Sequence, residues 1–441
     1  MNIFIFCGPL AFGKGGMEKV AANLANFLAL RNGFKITLGY FKRDAESAPA
    51  YYVCDKVTLS PWHLQAKKGR QKFIKRICES KPDLFIYFGA SVQVLKVLSL
   101  IDGSEIPVII HEGSNPERVI TTNWADVRNI SRYEAAWERE LVLSQASVIR
   151  FTMSEYADSV SLGLRDKVNA FPNAFDQVEE RANVAINKNI INIGGLKANK
   201  NIIPLLEALR LLFKEFPDWH LHIFSAVNNN PEGLKFLESV KKKVDFCGMR
   251  ENVVIHGEVD DLGSYYLNSS IHVITSLSEG LSNAVAESMC HGVPTVGVKG
   301  VPGVDGVVVD NVNGFLVEPN SLVEGLYESL KRLIKDSNLR DAMGRNAFEK
   351  AKIFDPDKVY ECWLDIIEKA VSLKSSVDVE TVKQSRYMLR ELYCQNVKDY
   401  DFDEKGYSFY AKKLEFLKGK VDERTLLEKE SHAIKNRWVS F

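Results

Sequence analysis

The chain has no surplus of charge: 57 Lys and Arg stand against 57 Asp and Glu. A protein whose main task is to coat nucleic acid is basic overall, so that class is excluded and no nucleic-acid partner is expected. No C-x-x-C pair occurs among the seven cysteines, and no His stands at zinc-ligand spacing from a second Cys. Their number is odd, so the expected state is reduced thiols in a reducing compartment, several of them in the core. No run approaches the roughly 18 apolar residues of a membrane span. The opening MNIFIFCGPLAFGKGG lacks the charged and long apolar regions of a signal peptide. Short-period repeats and low-complexity tracts are also missing. These absences point to a cytoplasmic protein.

What is present is an ordinary globular balance, 46% hydrophobic and 26% charged over 441 residues. At about 150 residues per domain, that length predicts two to three domains. Such a chain can bury large cores without disulfides, and its apolar content excludes global disorder.

The pattern along the chain is short apolar runs separated by amphipathic stretches. Strands are predicted at Asn2–Cys7, Lys35–Phe41, Leu84–Phe88, Val108–His111 and Val148–Met153, with helices at Met17–Leu30, Ser91–Leu100 and Ser131–Ser144. Brief β-branched runs, apolar on both faces, are what buried parallel strands look like. The polar segment AFDQVEERANVAINK, 174–188, reads as a linker. A second series follows, with strands at Ile190–Ile193, His220–Phe224, Val253–His256, His272–Thr275, Thr295–Val298 and Phe315–Val317. The helices between them include Ile203–Phe213, Leu234–Lys243 and Asn283–Cys290. Two successive Rossmann-like α/β domains are therefore expected. The assigned spans are 1–178 for the first domain, 186–355 for the second, a helix over 356–380 that returns toward the first, and a C-terminal extension over 381–441. That extension holds ten aromatics and reads as helical, so it is expected to pack on something.

The strongest local signal is SLSEGLSNAVAESMCHGVP, from Ser276 to Pro294. A strand ends near Ser276, Glu279-Gly280 turns, and Ser282 is a good helix N-cap. The amides of Asn283 and Ala284 then lie unpaired at a positive helix end, a seat for a diphosphate. Glu279 and Glu287, flanking that helix start, stand on the order of 8 to 10 Å apart. One carboxylate can grip hydroxyls on one side of a diphosphate and the other those on the far side. A nucleotide sugar carries hydroxyls in both places.

In this setting the sequence resembles a known family, the retaining glycosyltransferases of the GT-B fold in glycosyltransferase family four, group 1 type. The matching pieces run in order through most of residues 1–370: GGMEKV from Gly15, FPNAFD, IGGLKANKN, VVIHGEV, SLSEGLSNAVAESMCHGVPTV and VPGVDGVVVDNVNGFLVEP. The resemblance implies an α/β GT-B architecture, two Rossmann-like domains facing each other across a cleft. Glu279 would bind hydroxyls of the transferred sugar and Glu287 those of the ribose. Backbone amides over Gly280, Leu281, Ser282, Asn283 and Ala284 would hold the donor. Lys200 would pair with its diphosphate, a point charge suited to a leaving group gaining negative charge. Gly15 and Gly16 would let the backbone approach the phosphates, and His111 would lie near the reacting carbon, with Glu112 as a rival. The implied reaction is a metal-independent, retaining hexosyl transfer from a nucleoside-diphosphate sugar such as a UDP-sugar to a glycan or lipid-linked acceptor, in polysaccharide or glycolipid synthesis. No cofactor is expected.

The sequence also departs from the family. A G-R-L triplet usually opens the second domain, its arginine on the diphosphate; here Gly194-Gly195-Leu196 stands, so that bidentate cation is missing, and Lys197 or Arg118 would have to reach in. HIFSAVNNN replaces a glycine-rich turn. Two alternatives follow: a catalytically weak GT-B scaffold that holds a partner through 381–441, and a nucleotide-sugar epimerase of the same fold. Residues 67–81 hold seven Lys or Arg and one acid. On a helix, Lys68, Lys72, Lys75 and Arg76 would share one face and Phe73, Ile74 and Ile77 another. Such a patch is attracted to anionic membrane surfaces, which would place the enzyme peripherally on the inner face. The plainer reading is a first-domain helix with a solvated basic side.

Overall fold

The computed structural model describes residues 1–11, 15–42, 48–63, 69–90, 106–117, 139–140, 142–194, 196–225, 231–257, 259 and 261–373. The expected helices Ser91–Leu100 and most of Ser131–Ser144, together with Gly195, Arg118, Lys67, Lys68 and the extension 381–441, lie outside the described residues. The chain divides into two compact units, Met1–Phe171 with Tyr360–Phe441, and Pro172–Val359.

Seven parallel strands form the sheet of the first unit: β1 (Asn2–Phe6), β2 (Lys35–Lys42), β3 (Thr58–His63), β4 (Leu84–Phe88), β5 (Val108–Glu112), β6 (Val148–Phe151) and β7 (Val168–Ala170). Their order is β3-β2-β1-β4-β5-β6-β7. Helix α1 (Gly16–Ala29) follows β1 and α2 (Gly69–Ser80) follows β3. Both sheet faces are covered, which is why β4 and β5 are buried along their whole length. Under α2 lies an aromatic core: Phe73 meets Phe4 at 6.0 Å, Phe6 at 5.4 Å and Trp62 at 5.1 Å. Phe73 and Ile77 thus spend their apolar surface inside the protein, Arg76 donates to the Pro61 carbonyl at 2.7 Å, and Lys72 and Lys75 face solvent.

The second unit repeats the plan with six parallel strands: β8 (Asn189–Ile193), β9 (His220–Phe224), β10 (Val253–His256), β11 (Ile271–Val273), β12 (Thr295–Val298) and β13 (Gly314–Val317), ordered β10-β9-β8-β11-β12-β13. Its helices are α3 (Ile203–Glu215), α4 (Pro231–Phe246), α5 (Gly263–Leu267), α6 (Asn283–Cys290), α7 (Pro302–Asp305), α8 (Leu322–Lys335) and α9 (Ser337–Lys350), and α10 (Pro356–Ser372) follows. In each sheet the strand order reverses beside the first strand, between β1 and β4 and between β8 and β11. Ligands of open α/β sheets bind outside the carboxyl ends of strands at such a switch point. Two Rossmann-like units are what the sequence led us to expect.

The stretch 174–188 has no helix or strand, yet it is not a solvated tether. Phe175 packs edge-on against Phe354, the Ala182 amide donates to the His291 carbonyl, and Val184 is fully buried. Arg340 fastens it, donating to the carbonyls of Val184 at 2.6 Å and Ala185 at 2.8 Å. The apolar residues spaced through a polar run carry that packing. Within the first unit, Tyr360 of α10 stacks on Phe27 at 4.0 Å, and Trp363, 1% exposed, lies against Phe88, His111 and Phe171. Asp355 and Asp357 have Asp-x-Asp spacing, but Asp355 Oδ1 caps α10, accepting from the Asp357 and Lys358 amides at 3.0 and 3.3 Å.

Candidate active site

The second unit brings Lys200 and Glu279 together at the switch point. β8 runs into a short 3-10 turn, Ala198–Lys200, and the neighbouring β11 runs into the loop that carries Glu279. The loops are laced by the Leu277 amide donating to Asn199 O at 3.0 Å and by Thr275 Oγ1 donating to Lys200 O at 3.0 Å. Asn201 then takes a left-handed φ of +49°, which Asn tolerates, as the chain turns into α3. The result is a Lys200 Nζ to Glu279 Oε1 ion pair of 2.6 Å, with the side chains 28% and 13% exposed. The pair sits in a partly exposed place, where water and ligand can compete for Lys200.

Helix α6 begins beside this pair. Ser282 is its N-cap and accepts weakly from the Val285 amide at 3.5 Å. The amide of Ser282 itself donates to Gly303 O at 3.1 Å, so it is already used within the protein. Asn283 and Ala284 occupy the first two helical positions, whose amides have no intrahelical acceptor. Among the described residues no backbone carbonyl accepts from them. Of the five amides implied for the donor, Asn283 and Ala284 are the pair at the positive helix end. Leu281 is buried. Gly303 must be glycine: a Cβ there would stand 1.8 Å from Gly280 O, so α7 presses backbone to backbone on the donor loop.

Glu287 lies one turn further along α6, half-buried, with Tyr266 Oη 3.4 Å from its Oε2. Tyr266 had no place in the sequence reading; its only signal was a tyrosine in a short helix between two strands. Lys197 is exposed, and its carbonyl accepts from the Lys200 amide.

In the first unit, Gly15 is the N-cap of α1 with φ −96° and ψ 165°, a conformation open to any residue, and Gly16 is the first helical position. His111 is 1% exposed at the end of β5. One Arg150 guanidinium nitrogen, which can only donate, lies 2.9 Å from its Nδ1 and 3.4 Å from its Nε2; the shorter contact makes Nδ1 the acceptor and favours the ring proton on Nε2. Burial, and next the Arg150 charge, hold its pKa well below the ordinary range. Burial likewise lowers Arg150 to about 9. Arg150 also donates to Phe171 O at 2.8 Å and sits over the Phe171 and Trp363 rings. Glu112 is held by Arg139 through contacts of 2.7 to 3.0 Å, both side chains being at most 2% exposed. Among the described residues no group of three His, Cys, Asp or Glu is placed to hold a metal, and no helix is long and apolar enough to cross a membrane.

Residues 176–350 match the family described as Glycosyl transferases group 1. That match covers most of the second unit. Over most of its length the chain is also similar to proteins of that kind. It is 26% identical to an uncharacterized glycosyltransferase of Haemophilus influenzae over 80% of this chain and 96% of that one. It is 24% identical to the amylovoran biosynthesis glycosyltransferase AmsD of Erwinia amylovora, again over 80% and 96%. Among solved structures, HepE of Anabaena in complex with UDP and glucose superposes with a TM-score of 0.63 at 16% identity, over 86% of this chain and all of that one. The fold of this glycosyltransferase-like chain is GT-B.

Proposed function

We propose that the protein is a retaining glycosyltransferase that moves a hexosyl group from a nucleoside-diphosphate sugar to a glycan or lipid-linked acceptor in polysaccharide or glycolipid synthesis. The observation that carries this reading is the Lys200–Glu279 pair set beside the open start of α6. AmsD, named for amylovoran biosynthesis, and HepE, seen with UDP and glucose, support the reaction class and a UDP-sugar donor.

The donor diphosphate rests on the amides of Asn283 and Ala284 and draws Lys200 away from Glu279. Glu279, released, accepts hydroxyls of the sugar, and Glu287 accepts those of the ribose. As the glycosidic bond lengthens, charge collects on the leaving diphosphate, where Lys200 and the helix end oppose it. The sugar carbon becomes oxocarbenium-like, the acceptor hydroxyl attacks from the face the diphosphate leaves, and configuration is retained. The departing phosphate takes the acceptor's proton, so no protein base or metal is needed. His111, neutral and clamped by Arg150, acts as a fixed Nε2 donor. Lys72 and Lys75 supply an electrostatic contact to anionic lipid, with no insertion of α2 because Phe73 and Ile77 are already buried.

The test is release of nucleoside diphosphate from a panel of UDP- and GDP-sugars, with and without acceptor. Transfer that requires acceptor and drops sharply in Glu279→Ala supports the reading. Unchanged transfer in that variant overturns it.

A further inference from the structure

Helix α5 sends Tyr266 into the interior of the second unit, where it is 1% exposed. Its ring stacks on His291 with centroids 4.9 Å apart and planes at 21°, and His291 Nδ1 lies 2.7 Å from the Glu287 carbonyl. The ring is therefore held on both the α5 and α6 sides. Its hydroxyl is delivered to two acceptors on α6, Ala284 O at 3.1 Å and Glu287 Oε2 at 3.4 Å. A buried hydroxyl left without acceptors costs about as much as a lost hydrogen bond, so this geometry is enforced by burial. Burial first, and then the Glu287 charge, push the phenol pKa well up, so it stays a donor at neutral pH.

We propose that Tyr266 is a positioning residue that fixes the Glu287 carboxylate and thereby sets the preference for a ribose over a 2′-deoxyribose nucleotide. The proposal rests on the reading of Glu287 as the ribose-binding group. A glutamate on a helix surface has three rotatable bonds and must surrender that freedom to grip two neighbouring hydroxyls. A donor on Oε2 removes the freedom beforehand, so less is lost on binding. The one hydroxyl proton is shared between Oε2 and the nearer Ala284 carbonyl, which ties the carboxylate to the helix turn that seats the diphosphate.

The experiment compares UDP with 2′-deoxyuridine diphosphate by calorimetric titration of the full chain; GDP and its 2′-deoxy form replace them if UDP does not bind. Wild type should prefer the ribose form by about tenfold or more, as for hydrogen bonds to a charged group. Glu287→Ala should abolish that preference. Tyr266→Phe keeps the ring and its stack on His291, and should lower the preference about three- to tenfold while leaving affinity for the deoxy form unchanged. In the Glu287→Ala background it should change nothing further. His291→Leu, which removes the stacking partner and leaves the hydroxyl, is a second variant that should shift the preference the same way. Full preference retained in both Tyr266→Phe and His291→Leu, with loss in Glu287→Ala, would make Tyr266 a core residue only and overturn the proposal. A preference that survives Glu287→Ala would instead overturn the ribose-binding reading beneath it.

Discussion

In the first unit Glu112 ends β5 and meets Arg139; in the second Glu279 follows β11 and meets Lys200. Both pairs join a carboxylate to a cation beyond the carboxyl end of a central strand. Arg139 grips Glu112 through two nitrogens and also donates to Ser159 O and Oγ at 2.8 and 2.9 Å, out of reach of water. Lys200 holds Glu279, and both remain partly exposed. A buried, multiply bonded pair cannot be opened at low cost, because each separated charge would be left without solvent or partner. A pair that keeps some access to water is held less tightly than one shut away from it. The comparison separates a carboxylate that holds structure from one available to a ligand. Sequence reasoning kept Glu112 as a rival to His111 because it could not see Arg139 beside it.

Breaking the tight pair should have the largest effect. Arg139→Ala should lower unfolding stability by about 3 to 5 kcal/mol, as for other buried pairs opened from one side. Denaturant titration measures it; a loss below about 1 kcal/mol would place the first pair in the same class as the second. Breaking the loose pair should act on rate instead. Lys200→Ala should reduce kcat roughly 10²- to 10³-fold, like loss of one charge-stabilising donor, with its melting temperature close to wild type.

Each unit also buries a histidine in its neutral form. Burial drives His272 of the second unit down to about 3 and holds His111 of the first well below its usual value. Because the folded pKa lies below the unfolded one, this stability is present above about pH 6.5 and is lost as pH falls, by up to about 1.4 kcal/mol per pH unit for each group. Thermal melts from pH 7 to pH 4.5 should show the decline, and His272→Leu should make it shallower. The smallest effect concerns Lys72 and Lys75. Changing both to Glu should weaken flotation with anionic vesicles at low salt by about 1 kcal/mol per charge; no wild-type flotation would leave α2 simply solvated.

Much of the fold was legible because parallel strands buried on both faces advertise themselves as short apolar runs, and α6 could be bounded by Ser282 and His291-Gly292. β3 was missed because it is an edge strand interrupted by Pro61 and polar residues, and β7 because three residues carry too little pattern. Helix α9 was missed for the opposite reason: its polar surface dominates, although Met343, Gly344 and Ala347 are buried. The candidate carboxylates were legible through local order along one strand-loop-helix unit. Arg150 on His111, Arg139 on Glu112, Tyr266 on Glu287 and Gly303 on Gly280 were not, since each joins positions 21 to 39 residues apart that only the sheet order brings together.

The most direct test is a crystal structure of the protein with UDP bound. The diphosphate should lie on the amides of Asn283 and Ala284, with Lys200 turned from Glu279 onto it and the ribose hydroxyls on Glu287. A nucleotide bound elsewhere, with the Lys200–Glu279 contact intact, would contradict it.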